Sequence, residues 1–195
     1  MVLGEKLRWF GFWLLDGLKG GKVRRYYQDI RKGYKSGTHI RQTEDKIRTL
    51  IEHAVRTTRF YKDYAPDTPL DQLPVVNKDT FRDNYDAFQS SEYLDAGDNR
   101  IMYTSGSTGT PLRMIQNCDK IDHNTAGGIF LGVAGGYYIG MRQAFIRVWV
   151  NNVKKSRLRL FQENMIMLDS SGMDDTSLGN MLSVIKKKKV KCLIG

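Results

Sequence analysis

Apolar positions along the chain fall into short periodic segments separated by turn-forming clusters. The first segment reads Leu7-Arg-Trp-Phe-Gly-Phe-Trp-Leu-Leu-Asp-Gly-Leu18. Its uninterrupted apolar stretch, Trp9 to Leu15, is far below the ~20 residues that span a bilayer. Asp16 follows the run, and no small-residue cleavage site precedes Arg24-Arg25, which argues against a secretory signal. A short helix rich in Trp and Phe is expected, flanked by Lys6, Arg8, Lys19 and Lys22. Two readings fit it. The helix lies in a membrane interface, with Trp9, Phe10, Phe12 and Trp13 inserted, or it packs onto the body of the protein with its basic flanks in water.

Ile47, Leu50, Ile51, Ala54 and Val55 recur at three and four residues and predict an amphipathic helix. Thr43 is its expected N-cap, with Glu44 and Asp45 in the first turn. His53 sits beside the apolar stripe and reads as a partly buried helix residue before a catalytic base. The helix gives way at Phe60-Tyr61, ahead of a segment holding Pro66, Pro69 and Pro74. Leu73 to Phe81 reads as an extended entry into a second helix, with Asn77 as N-cap and Phe81 as the first buried position. Strands are expected at Arg100 to Thr104 and at Pro111 to Gln116, forming a hairpin across residues 105–110.

Asp119 opens a third long helix running to Tyr138. Within it Gly128, Gly132, Gly136 and Gly140 repeat every four residues, with Gly127 and Gly135 beside them. Each glycine costs about 0.5–1 kcal/mol relative to Ala inside a helix, so close packing of this helix on a sheet is expected, with Gly140 ending it. The remainder alternates: strands at Ala144 to Val150, Asn164 to Leu168 and Val190 to Ile194, and a helix capped by Asp174 or Asp175 that reaches the lysines at 186–189. Strand, helix, strand in succession argues for an α/β sheet with crossovers.

Composition narrows the classes. The chain has 195 residues, 41% hydrophobic and 27% charged, with 31 Lys+Arg against 21 Asp+Glu and a net charge of +10. These values fit a globular protein and exclude wholesale disorder. Two cysteines, Cys118 and Cys192, build no disulfide framework and read as reduced core residues of a cytosolic protein. With three scattered histidines, no Cys/His spacing suits zinc, and no metal ligand is assigned. The basic residues cluster at Lys19 to Lys35 and Lys186 to Lys191 and read as solvated helix faces. Nucleic acid is not an expected partner, because no aromatic-interleaved basic stripe accompanies the charge.

One segment carries chemistry. Residues Thr104, Ser105, Gly106, Ser107, Thr108, Gly109 and Thr110 combine five hydroxyls with two glycines. Glycines let a backbone approach a ligand, and successive N–H groups with hydroxyls can form an anion nest. It is not a Walker A loop, which needs four residues between the glycines followed by Lys and Ser/Thr. A polar hairpin connection has the same composition.

The full string Thr104-Ser-Gly-Ser-Thr-Gly-Thr-Pro111 resembles the phosphate-binding signature of the adenylate-forming superfamily, the acyl-CoA synthetases and their relatives. Ile51-Glu-His-Ala, Phe60-Tyr61 and Leu73-Pro-Val-Val-Asn-Lys-Asp-Thr-Phe-Arg82 resemble the phenylacetate–CoA ligase family. Phe12-Trp-Leu-Leu-Asp16 with Lys19-Gly-Gly-Lys22 is similar to its branch associated with capsular polysaccharide biosynthesis. The resemblance implies an α/β fold, the N-terminal part of an adenylate-forming enzyme. It would hold a mixed sheet with packed helices and the hydroxyl- and Gly-rich hairpin loop, with residues 1–40 as an N-terminal helical segment and 41–195 as an incomplete adenylation domain.

The resemblance also implies a function: ATP-dependent activation of a small-molecule carboxylate as an acyl-adenylate, then transfer to coenzyme A. Residues Thr104 to Thr110 would hold the nucleotide's distal phosphates, and Mg²⁺ would neutralise them. Leu112 stands where many superfamily members have Lys. The nucleoside-binding motifs and the catalytic lid of such enzymes lie beyond Gly195, so the chain is expected to be catalytically incomplete alone. A non-catalytic capsule-biosynthesis factor of the same fold is the alternative, and a basic nucleic-acid binder is a weaker one.

Overall fold

The computed structural model describes residues 1–94, 97–103, 111–149 and 154–195. The chain divides into two compact units, one formed by Met1–Arg24 with Gly127–Gly195 and the other by Arg25–Ala126. Its elements are α1 (Leu3–Leu18), α2 (Lys22–Ser36), α3 (His39–Thr57), α4 (Lys78–Asp83), β1 (Arg100–Tyr103), β2 (Arg113–Gln116), α5 (Cys118–Ala134), β3 (Gln143–Arg147), α6 (Arg157–Glu163), β4 (Met165–Asp169), α7 (Asp175–Lys187) and β5 (Cys192–Ile194). The protein is α/β. The expectation of one mixed sheet is corrected: the described strands form a two-stranded antiparallel sheet, β1-β2, and a separate three-stranded sheet in the order β4-β3-β5.

In the first unit both ladders are parallel, with Gln143 opposite Met165 on one side and Cys192 on the other. Parallel neighbours need crossovers, and α6 and α7 supply them. Ala144 packs with Leu168 and Met181, surrounded by Ile146, Ile166, Val184, Ile185 and Val190. Alternate residues of β3 and β4 thus meet residues of α7 spaced three and four apart, the periodicities of a strand face and a helix stripe. Asp174 caps α7 as expected, its side chain accepting from Ser177 N at 2.7 Å. Helix α6 was not anticipated, although Ser156 is its cap, accepting from Arg159 N. It ends on Asn164, whose φ of 51° is left-handed. The Asn164 side chain is buried, donating to Gly140 O at 2.8 Å and accepting from Arg142 Nε at 3.1 Å.

Helix α1 belongs to the same unit. Its inner face carries Glu5, Trp13 and Asp16, all buried. Glu5 accepts three hydrogen bonds: from Val2 N at 2.9 Å, from Tyr138 Oη at 2.7 Å and from Lys191 Nζ at 2.7 Å. Lys191 is therefore not part of a solvated lysine face. Asp16 caps the next helix, accepting from Val23 N at 3.1 Å and Arg24 N at 3.0 Å. Those amides have no intrahelical partner in the first turn of α2.

The glycine series behaves differently from the expectation. Helix α5 stops at Ala134, four residues before Tyr138, and Gly136 and Gly140 both have positive φ beyond it. A Cβ at Gly127 or Gly128 would meet nothing within 4 Å, so no close packing on a sheet explains them. Gly140 alone in the series has a close approach to another element. A Cβ there would lie 2.5 Å from Glu5 O and 3.0 Å from Arg8 Cβ. The neighbour is helix α1.

The second unit is organised around α3. This helix starts at His39, not at Thr43, because Gly37, with φ 73°, already turns the chain after α2. Thr43 is inside it, its hydroxyl donating to His39 O at 2.8 Å, the back-bond open to a mid-helix threonine. The helix also closes earlier, at Thr57. Beyond it an aromatic cluster forms. Phe60 stacks on Phe88 with centroids 3.9 Å apart, Phe81 stacks on Phe88 at 4.9 Å, and Tyr61 and Tyr85 meet the edges. Asn77 is the cap of α4, accepting from Thr80 N at 2.8 Å. Helix α5 opens at Cys118 on Asn117, which accepts from Lys120 N at 2.8 Å, while Asp119 accepts from Tyr26 Oη at 2.7 Å. Cys118 and Cys192 are free thiols and only partly buried, so neither is a core residue.

Candidate functional site

The residues assigned to phosphate binding, Thr104, Ser105, Gly106, Ser107, Thr108, Gly109 and Thr110, lie outside the described residues. The strands that flank them are described. Arg100 pairs with Gln116, Ile101 with Ile115, Met102 with Met114 and Tyr103 with Arg113. The antiparallel ladder brings residues 103 and 113 together. β1 is exposed along its length. A two-stranded ribbon is marginal by itself in water. Here β2 leads into the capped start of α5, and Cys118 Sγ donates to Asp98 O at 3.1 Å, ahead of β1.

Arg113 carries no expectation from the sequence. It stands opposite Tyr103, at the end of the ladder nearest the hydroxyl-rich segment, with its guanidinium 5.4 Å from the Tyr85 ring centroid. A planar guanidinium over an aromatic face keeps its charge and its donors. Leu112 had marked the adjacent position as lacking a cation. Arg113 is the first residue of β2, one position after Leu112.

Beside β2 lies a cavity of about 290 Å³, lined among others by Phe88, Ser90, Tyr93, Met114, Gln116 and Lys120. Across Tyr93 is a wider, open cleft of about 940 Å³ that includes Lys46, Leu50, His53, Arg56 and Glu92. His53 organises the boundary. Its Nδ1 is 3.5 Å from Glu92 Oε2, and its Nε2 is 3.2 Å from both Thr57 Oγ1 and Ser90 Oγ. The Thr57 hydroxyl also donates to His53 O at 2.7 Å.

A serine, histidine and glutamate in this order resemble a nucleophile, base and orienting acid. Two contacts argue for a structural role. Arg56 Nη2 holds Glu92 Oε1 at 3.0 Å, and the amide beside Ser90, Ser91 N, already donates to Thr57 O at 2.9 Å. The group fastens the end of α3 to residues 88–93, as expected of a partly buried helix histidine.

His123 lies on the same unit, its ring 4.9 Å from that of Tyr26. Burial, with Lys46 and Lys120 nearby, pushes its pKa below the usual histidine value, so it is neutral at pH 7. Among the described residues no group of three or more His, Cys, Asp or Glu could hold a metal ion. No described helix is long and apolar enough to cross a membrane. Compared with protein-family models, with curated proteins and with solved structures, the chain matches none of them.

Proposed function

We propose that the chain is the phosphate-handling, N-terminal part of an ATP-dependent carboxylate-activating ligase, of the phenylacetate–CoA ligase kind. The observation that carries the reading is the string Thr104 to Pro111, bounded by β1 and β2 in antiparallel register. Residues 104–110 would donate hydroxyl and amide hydrogen bonds to the β and γ phosphates. Arg113, opposite Tyr103 at the end of the ladder, would add a positive charge near the loop. Mg²⁺, when bound with the nucleotide, would neutralise the leaving pyrophosphate, and the described residues offer it no ligand set of their own. The carboxylate would be activated as an acyl-adenylate, with a thiol such as coenzyme A as acceptor.

Amide chemical-shift titration tests the reading. Tripolyphosphate, ATP and GTP should shift resonances at 104–110 and 113 alike, AMP far less, with millimolar affinity, about −4 kcal/mol. Ser107→Ala/Thr108→Ala should remove the response. Shifts that follow the base and ignore phosphate number would reject the assignment.

A further inference from the structure

Helix α1 presents an apolar stripe that no described element covers. Leu3, Leu7, Phe10, Leu14 and Leu18 fall within an arc of about 80° on the helical wheel. Each is more than half exposed, from 51% for Leu14 to 76% for Leu18. The stripe lies opposite the buried face of Glu5 and Asp16. The aromatic residues divide between the two faces. Trp13 is buried beneath the Arg24 guanidinium, 5.2 Å from its ring, whereas Phe10 is on the outside. The outward surface is thus mainly leucine.

Charge selects the occupant. The two acids of residues 1–24 are both turned inward, Glu5 at 3% and Asp16 at 9% exposure, and both are hydrogen-bonded. The exposed charges of the same stretch, Lys6, Lys19 and Arg24, are all positive. Lys6 lies about 40° from Phe10 around the helix, and Lys19 is exposed at the C-cap. An apolar stripe on a segment whose exposed charged side chains are all cationic matches an anionic lipid surface, where the stripe enters the acyl boundary and the lysines stay among the headgroups. One stripe of five side chains falls short of the ~800 Å² per partner of a stable protein interface.

We propose that α1 docks this protein on anionic membranes, lying in the interface through Leu3, Leu7, Phe10, Leu14 and Leu18 and steered by Lys6 and Lys19. The proposal is independent of the nucleotide reading. The whole chain is tested by flotation with vesicles of phosphatidylcholine alone and with added phosphatidylglycerol, alongside its oligomeric state by light scattering. Flotation is expected with the anionic vesicles only and should weaken with added salt. Leu7→Ser/Phe10→Ser/Leu14→Ser changes exposed positions only, and circular dichroism checks that it folds. It should lower partitioning at least tenfold. Lys6→Glu/Lys19→Glu should lower it by roughly fivefold or more for each residue. With Phe10→Trp, emission should shift to the blue on anionic vesicles. Flotation of the triple serine variant at the wild-type level overturns the proposal. So does a wild-type chain that does not float but is a dimer, made monomeric by the serines, since the stripe is then an interface between copies.

Discussion

Glu5 and Lys191 stand 186 positions apart in the sequence and 2.7 Å apart in the fold, carboxylate to ammonium. The bond ties the first helix to the residue that precedes the last strand. Burial alone would raise the Glu5 pKa. The hydrogen bonds from Lys191, Tyr138 and Val2 N, with the Lys191 charge, outweigh burial and lower it from 4.5 to about 2.

The sign of the pH dependence follows. A carboxyl whose folded pKa is depressed contributes its full stabilisation above the unfolded value and loses it as acid is added. Stability from Glu5 should be complete above pH 4.5 and decline as pH falls towards 2. Glu5→Gln should cost about 1–3 kcal/mol at pH 7, and the gap to wild type should close through that window. Urea unfolding at a series of pH values measures both. A gap that stays constant with pH would show that Glu5 acts through packing alone.

The two kinds of glycine after residue 126 should respond oppositely to alanine. Gly140→Ala puts a Cβ 2.5 Å from Glu5 O at a φ of 90°, and should lose more than about 2 kcal/mol. Gly128→Ala meets nothing within 4 Å inside α5 and should gain about 0.5–1 kcal/mol. Thermal melts of the two variants decide it.

Asp16→Ala should cost about 1–2 kcal/mol, because Val23 N and Arg24 N lose their acceptor. Asp16→Asn keeps an oxygen in place and should recover part of the loss. Hydrogen exchange at Val23 and Arg24 should accelerate in the alanine variant first.

Arg113→Ala should weaken tripolyphosphate binding roughly three- to fivefold, the scale of one exposed charge contact. Arg113→Lys should keep most of it. The same titration that follows residues 104–110 reads the effect, and an unchanged affinity would remove Arg113 from the site.

Local chemistry was legible where a single residue decides it. Asn77 and Asp174 are caps because a short polar side chain before an apolar periodic run has an amide to accept from. The strands from β3 onward were legible as short apolar runs. Thr43 was misread because a threonine inside a helix and one at its start look alike in sequence, and Gly37 upstream decides between them. The glycine series was misread because spacing says nothing about what lies opposite each position, and only Gly140 faces another helix. Lys191 looked like the end of a lysine run, since its partner is at the other end of the chain. Of the candidate site, the loop composition and its flanking strands were legible. Arg113 was not, because its place opposite Tyr103 depends on the register of the ladder.

The first unit is assembled from both ends of the sequence, with residues 25–126 between them. A ribosome adding 5–20 residues per second releases Glu5 roughly 10–40 s before Lys191. Throughout that interval the nascent chain carries helix α1 without the strand-side lysine that its buried carboxylate requires. Residues 25–126 are complete well before β3, β4 and β5 exist. The order of synthesis therefore favours the inserted unit as the first to fold, and leaves helix α1 without its partner until Lys191 has been added.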